Sequence, residues 1–185
     1  MRTYYQLDCS VLEQIQKETL DYIQTKTNLL EHVDQFWNKI NNVEFIKRSP
    51  TLVNYCCSID LKLREIAILV ADSTVDVTLH IDEKPLTAKI NFPILNTKNT
   101  YTEWYDIPTT VLDNINAVTN SFNTSYYDLR NLDLTKYNKI AEFEMLAPVV
   151  FNSQIPHRVR ISPTAKFPRI VLACMFFDEP IDYLL

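Results

Sequence analysis

The sequence predicts a mainly β protein, an antiparallel β-sandwich or barrel with helices packed against it at the N-terminal end. Two observations support this fold class. Apolar residues recur at helical spacing only in roughly the first 40 residues, whereas short segments of alternating apolar and polar residues dominate after residue 52. Turn-forming residues separate these short segments. The chain of 185 residues is long enough for one domain with its own core.

Residues 1–50 are predicted to form the helical part. Apolar residues follow one another at helical spacing from Leu12 to about His32, which is typical of an amphipathic helix. A second, short helix is predicted over residues 33–40. Pro50 then interrupts the chain, because proline cannot continue a helix that precedes it.

Residues 52–178 are predicted to form the β core. Between the strands, residues 109–116 are expected to form a helical turn, and residues 120–138 loops or short strands. The predicted strands cover 52–59, 65–70, 75–82, 88–95, 101–107, 140–146, 149–152, 157–161 and 169–177.

The chain contains no glycine. Phosphate-binding loops and dinucleotide-binding fingerprints require glycine, because the backbone must approach the phosphate closely, so both sites are excluded. Turns that need a positive φ must use another residue. Asparagine tolerates that conformation, and proline also favours turns. The asparagines predicted to fill this role are Asn41, Asn42, Asn96, Asn99, Asn114, Asn116, Asn120 and Asn123.

The bulk composition also limits the class of partner. A net charge of −5 makes a nucleic-acid partner unlikely. The sequence has no apolar run that could span a membrane and no signal peptide, which predicts a cytoplasmic protein without a membrane partner. The four cysteines lack the spacing of a zinc site and are expected to be reduced thiols.

Two of the three histidines lie in predicted strands, and one of them precedes an aspartate by two residues. Side chains at i and i+2 of a strand point to the same face, so His80 and Asp82 can reach one metal ion. His157, in a later strand, can complete a set of two histidines and one carboxylate, which binds ferrous iron in non-heme oxygenases. The alternatives are a surface pair at a strand end and a solvated turn histidine.

A downstream arginine suits the binding of a carboxylate. Arg169 follows His157 by 12 residues, which fits a strand, a turn and an antiparallel strand. Its planar guanidinium can pair with a carboxylate through two hydrogen bonds. Arg160 is disfavoured because alternation points it away from His157. The alternative for Arg169 is a salt bridge to Glu142 or Glu144, whereas Glu103 is expected to be solvated.

These segments together resemble the 2-oxoglutarate/Fe(II)-dependent oxygenases. His80-Ile81-Asp82 and the following residues 88–96 are similar to small bacterial and phage members, and residues 156–172 to the aspartyl/asparaginyl β-hydroxylase-like and prolyl-hydroxylase-like branches. The similarity covers roughly residues 65–178 and implies a double-stranded β-helix, the cupin-like jelly roll. The family's Arg-x-Ser motif is replaced by Arg169-Ile170-Val171. That replacement leaves open the second contact to the cosubstrate, for which the candidates are Asn91, Thr100, Thr102, Trp104 and Tyr105.

The resemblance implies an Fe(II)- and 2-oxoglutarate-dependent dioxygenase that hydroxylates a small molecule or a peptidyl side chain. His80, Asp82 and His157 would hold iron, Arg169 would bind the distal carboxylate of 2-oxoglutarate, and dioxygen would be the second cosubstrate. Two alternatives remain. One is a cupin-type metal enzyme that does not use 2-oxoglutarate, and the other is a non-catalytic jelly-roll protein that binds a ligand.

Overall fold

In the computed structural model, the described residues are 1–26, 38–82, 86–119 and 125–185. Within these residues the strands are β1 (Tyr4–Gln6), β2 (Asn38–Lys39), β3 (Leu63–Ala71), β4 (Val77–Asp82), β5 (Ala88–Leu95), β6 (Thr100–Asp106), β7 (Ala117–Thr119), β8 (Ser125–Asp128), β9 (Asn138–Glu144), β10 (Val149–Asn152), β11 (His157–Ile161) and β12 (Arg169–Phe176). The helices are α1 (Leu12–Gln24), α2 (Asn42–Arg48), α3 (Pro50–Ser58) and α4 (Thr109–Leu112). Short 3₁₀ turns cover Leu134–Lys136 and Ile181–Leu184.

The described strands form two six-stranded sheets, which confirms the predicted mainly β class. The first sheet has the order β1-β10-β5-β12-β3-β2, and the second has the order β7-β8-β4-β11-β6-β9. Neighbouring strands pair antiparallel in both sheets. Successive strands alternate between the sheets from β3 to β6 and again from β9 to β12, so their connections cross from one layer to the other.

Strand β12 separates two layers of the core. The even-numbered residues Ile170, Leu172, Cys174 and Phe176 pack with α1, α2 and α3 on the outer side of the first sheet. Val171 packs on the other side, between the sheets, with Trp104 and the other residues of the inter-sheet core. This alternation agrees with the predicted division of β12 into two faces.

The strand prediction for residues 52–59 is wrong, because helix α3 covers most of this segment. Pro50 occupies the first turn of α3, where its missing N–H has no intrahelical partner to lose. Leu52 and Cys56, four residues apart, are buried on one side. In a short apolar run this helical spacing is easily confused with alternation. After these helices the β part therefore begins at Leu63 rather than at residue 52, and the part predicted to be helical also contributes β1 and β2 to the first sheet.

The N-terminal helices also differ from the prediction. Helix α1 ends at Gln24 in the described part, and most of the expected continuation to residue 32 lies outside the described residues. Residues 33–37 of the second predicted helix lie outside them as well, while Asn38–Lys39 form β2 against β3 instead of a helix. None of the helices in the described ranges has the length and apolar character of a membrane span.

Asparagine takes the left-handed conformation at two of the eight predicted positions. Asn41, Asn42, Asn114 and Asn116 do not have a positive φ, and Asn120 and Asn123 lie outside the described residues. Asn96 has a φ of 52° and Asn99 a φ of 64°, both in the left-handed region. Asp60 adopts the same region, with a φ of 58°. Asparagine and aspartate enter this region more readily than other residues with a Cβ, which lets the chain turn without glycine.

A charged cluster lies on the outer face of the second sheet, and its centre is Glu103 on β6. The prediction that Glu103 is solvated is wrong, because this residue is only 2% exposed. Its carboxylate accepts hydrogen bonds from Arg158 and Arg160 on β11, each 2.8 Å long, and from Lys139 on β9. The Tyr105 hydroxyl donates a further bond of 2.7 Å. Glu103 thus connects three neighbouring strands.

Burial alone would raise the pKa of the Glu103 carboxyl, but hydrogen bonds from Arg160, Tyr105 and Arg158 lower it well below its usual range. Such a carboxylate stabilises the fold at pH values above the pKa of a glutamate in the unfolded chain, about 4.3. That contribution is lost as the pH falls below this value, because the folded protein resists protonation more than the unfolded chain does.

We expect Glu103→Gln to lower the free energy of unfolding at pH 7 by about 2–3 kcal/mol, the loss of charge-assisted hydrogen bonds in a buried site. Urea denaturation measures this difference, which should shrink as the pH falls below about 4. The matched control is Glu142→Gln on the same sheet face, whose more exposed carboxylate should contribute less than about 1 kcal/mol. Equal effects of the two substitutions would contradict the central role of Glu103.

Candidate metal centre

The three predicted metal ligands lie on neighbouring strands of the second sheet. His80 and Asp82 are near the end of β4, and His157 is the first residue of β11. His157 is paired in register with His80 on one side and with Trp104 of β6 on the other. Alternation places Asp82 on the same face as His80. The fold therefore brings together two segments that are 75 residues apart in sequence, from Asp82 to His157.

The donor atoms of this triad are close enough to bind one ion. One ligand atom from each residue lies within 4.8 Å of the other two. His80 Nε2 is 3.8 Å from Asp82 Oδ1, and the centroids of the His80 and His157 rings are 4.4 Å apart. Donors bound to one ion at about 2.0–2.2 Å are at most about 4.4 Å apart, so small side-chain movements would bring these three atoms to coordination distance. The group could therefore hold a metal ion.

Backbone carbonyls select the tautomer of both histidines. His80 Nδ1 lies 2.8 Å from the carbonyl oxygen of Thr78, and His157 Nδ1 lies 2.9 Å from that of Ile155. A carbonyl oxygen only accepts hydrogen bonds, so each Nδ1 must carry the proton. The lone pair of each ring is then on Nε2, and hydrogen bonds of this kind orient histidine ligands in metal sites.

Both imidazoles are neutral at physiological pH. Burial and, to a smaller extent, the proximity of His80 lower the pKa of His157 to about 3, against a weaker opposing effect of Asp82. Burial likewise lowers the pKa of His80, with a smaller opposing effect of Asp82. Neutral imidazole is the form that binds a metal ion.

Asp82 is the charged ligand of the group. Burial by itself would raise its pKa, but Lys89 and the two histidines lower it to about 2. Lys89 Nζ lies 2.5 Å from the other carboxylate oxygen, Oδ2. The aspartate is therefore ionised, with one oxygen paired to an ammonium and the other directed to His80.

Arg169 begins β12 of the first sheet and is 4% exposed. Its Nε donates a hydrogen bond of 3.1 Å to the Thr100 hydroxyl, and it has no carboxylate partner among the described residues. Glu142 pairs instead with Arg160 and Lys139. Burial lowers the pKa of Arg169 to about 10, so the guanidinium remains charged at neutral pH. A buried cation without a counter-ion is costly, which favours an anionic ligand here.

The Glu144 alternative also fails for Arg169, because Glu144 Oε1 accepts a hydrogen bond of 2.7 Å from the backbone of Asn99. Arg160 is on the outer face of the second sheet with Glu103, as the alternation of β11 predicts. Glu144 is therefore not the salt-bridge partner of Arg169, and Arg160 is not on the sheet face that carries the triad.

The candidates for a second cosubstrate contact divide into two groups. Thr100 and Thr102 share the face of β6 that carries Trp104, whereas Tyr105 packs on the outer side of the second sheet and is thereby removed from the candidates. Trp104 is fully buried, and its Nε1 already donates to the Asn152 carbonyl at 3.4 Å.

Asn91 remains the candidate with an unmet hydrogen-bonding atom. Its residue is 8% exposed, and its Oδ1 has no partner among the described residues. Residues of β5 that face the helices are Ala88, Ile90, Phe92 and Ile94. Asn91 and Lys89 therefore face the second sheet by alternation. The pairing of Lys89 with Asp82 was not predicted, although this alternation was visible in the sequence.

Comparison with protein-family models gives no match for this chain, and comparison with curated proteins gives none either.

The pKa of His157 predicts how the stability of the metal-free protein depends on pH. Since the folded pKa of about 3 is below the ordinary value, the unfolded chain binds a proton first as the pH falls. Stability is therefore lost from about pH 6.5 downwards, by roughly 2 kcal/mol for this group at pH 5. Urea denaturation in chelator at pH 7.5 and 5 should show this loss, and His157→Gln should remove it. An unchanged pH dependence in His157→Gln would contradict the burial of a neutral imidazole.

Proposed function

We propose that this protein is an Fe(II)- and 2-oxoglutarate-dependent dioxygenase that hydroxylates a small molecule or a peptidyl side chain. The observation that carries the proposal is the combination of two features in one sandwich. One is a triad of two neutral histidines and one ionised aspartate. The other is the buried Arg169, which has no carboxylate partner among residues the structure describes.

The strand order supports a jelly roll as the scaffold. Eight strands, β3 to β6 and β9 to β12, are distributed four and four between the two sheets and alternate between them. Jelly rolls consist of eight antiparallel strands in two sheets. In this interpretation β1, β2, β7 and β8 extend the edges of the sheets.

The donor set fits ferrous iron. Two imidazole nitrogens and one carboxylate on one side of the metal leave the opposite positions open, which is the arrangement of non-heme iron oxygenases. When bound, iron together with 2-oxoglutarate supplies the oxidising chemistry that hydroxylates an unactivated C–H bond. The chain contributes the orientation of His80 and His157 through their Nδ1 hydrogen bonds, which leave the Nε2 lone pair of each ring available to a metal.

Arg169 would bind and orient the cosubstrate. Its guanidinium can pair with the distal carboxylate through two hydrogen bonds, while Thr100 holds its Nε. Thr100 and Trp104 are four residues apart on β6, about 13 Å along the strand, and Trp104 is beside His157. Since the guanidinium is at Thr100, the diacid would have to bridge the distance from there to the triad. Asn91 offers its unpaired amide atom as a second contact.

Aromatic side chains limit the access of water to the triad. The Phe151 ring lies 5.3 Å from that of His157, and Tyr126 is edge-on to His80 with centroids 6.0 Å apart. Exclusion of water strengthens the electrostatic contacts within a site and suppresses side reactions. A metal enzyme that does not use 2-oxoglutarate would have no need for the buried Arg169.

We expect the iron-loaded protein to form succinate from 2-oxoglutarate in the presence of ascorbate, with an increased rate when a substrate is present. Asp82→Ala should abolish this activity, because the triad loses its charged ligand. The matched control Asp133→Ala removes a carboxylate that is 53% exposed and should retain the activity. Succinate is measured by chromatography. Failure of iron-loaded wild type to bind 2-oxoglutarate would contradict the proposed function.

We expect Arg169→Ala to weaken 2-oxoglutarate binding by well over tenfold, because truncation of one partner of a buried charged pair commonly costs 2–5 kcal/mol or so. Iron binding should persist. The measurement is an anaerobic titration of the iron-loaded protein with 2-oxoglutarate, followed by the metal-to-ligand charge-transfer band. Arg160→Ala is the control and should bind as wild type does. Equal affinities of wild type and Arg169→Ala would exclude Arg169 from this role.

A further inference from the structure

We propose that Lys89 is a positioning residue that keeps Asp82 a monodentate metal ligand. The inference rests on the metal centre of the proposed function and adds to it a residue that controls how many coordination positions stay open.

Lys89 reaches Asp82 from the opposite sheet. It is on β5 of the first sheet, whereas Asp82 ends β4 of the second. The Lys89 side chain is 5% exposed, and its ammonium is 4.7 Å from the centre of the Phe151 ring, a favourable cation–π contact. Since Phe151 also borders His157, the ammonium is held at the edge of the triad by packing as well as by charge.

The ammonium occupies one carboxylate oxygen and leaves the other for a metal. Lys89 Nζ is 2.5 Å from Oδ2, while Oδ1 is the oxygen that is 3.8 Å from His80 Nε2. A charge-assisted bond of this length is strong in a poorly hydrated site. Oδ2 can therefore join the metal only if that bond breaks.

Monodentate binding matters for the proposed reaction. Three protein donors leave three positions of an octahedral ion open, and a bidentate aspartate would leave two. A chelating keto acid uses two positions. Lys89 thus preserves the one position beyond those that the keto acid requires.

The same ammonium also opposes a divalent cation by like-charge repulsion. Its removal should have two effects of the same sign. It removes the repulsion and it releases Oδ2 as an additional ligand, so the ion should bind more tightly in a site with fewer open positions. A purely structural ion pair would give the opposite result, because its loss would disorder Asp82.

The test is a titration of the metal-free full-length protein with Co²⁺, with affinity measured by calorimetry and coordination by the visible d–d spectrum. Lys89→Met should bind Co²⁺ at least about tenfold more tightly than wild type and with a changed spectrum. Lys89→Arg, which keeps the charge and the donor, should retain the wild-type spectrum. Lys139→Met is the matched control, since it removes a carboxylate-paired lysine on the outer face, and it should change neither readout.

Lys89→Gln, also uncharged, gives the same affinity readout if Lys89→Met does not fold. Affinity of the uncharged variants that is equal to or below that of wild type, with an unchanged spectrum, would overturn the role of Lys89 and leave the proposed function standing. A folded wild type that does not bind Co²⁺ would overturn both. Tight Co²⁺ binding with the expected Lys89 effects, but no affinity for 2-oxoglutarate, would overturn the proposed function alone.

Discussion

The alternation of side chains along facing strands is the constraint on which the candidate site depends. Each inward position of β4, β5, β6, β11 and β12 points into the space between the two sheets. At some of these positions, such as Trp104 and Val171, the side chains are apolar and form the inter-sheet core. At other positions they are polar. The triad on the second sheet faces Lys89 of the first, whereas Arg169 contacts Thr100, four residues along β6 from Trp104. A shift of one residue in any of these strands would direct its functional group away from the others.

Much of this arrangement can be predicted from the sequence, because successive side chains of a strand point to opposite faces of the sheet. His80 and Asp82 share a face by their spacing, and the structure places both beside His157. The division of β12 between Arg169 and the helix-side residues follows from the same rule. The regularity of strands makes the faces predictable even when the pairing partners are unknown.

Other features depend on long-range packing and could not be predicted in this way. Residues 50–58 contain a short apolar run whose local pattern suits either a strand or a helix, and contact with α1 and the first sheet decides for α3. The burial of Glu103 results from three cations that two different strands supply. An isolated glutamate in an alternating strand appears solvated, because nothing near it in sequence indicates those partners.

The charged cluster on the outer face of the second sheet has a consequence for the candidate metal site. Glu103 is adjacent to Trp104, and Arg158 is adjacent to His157. The hydrogen bond between Arg158 and Glu103 therefore holds β11 and β6 together on the face opposite the triad. The positions of the ligands are then determined by folding rather than by the ion. Small zinc domains, in contrast, unfold when their metal is removed. The candidate site is therefore preorganised, so an ion bound by the triad should be exchangeable for another without unfolding of the protein.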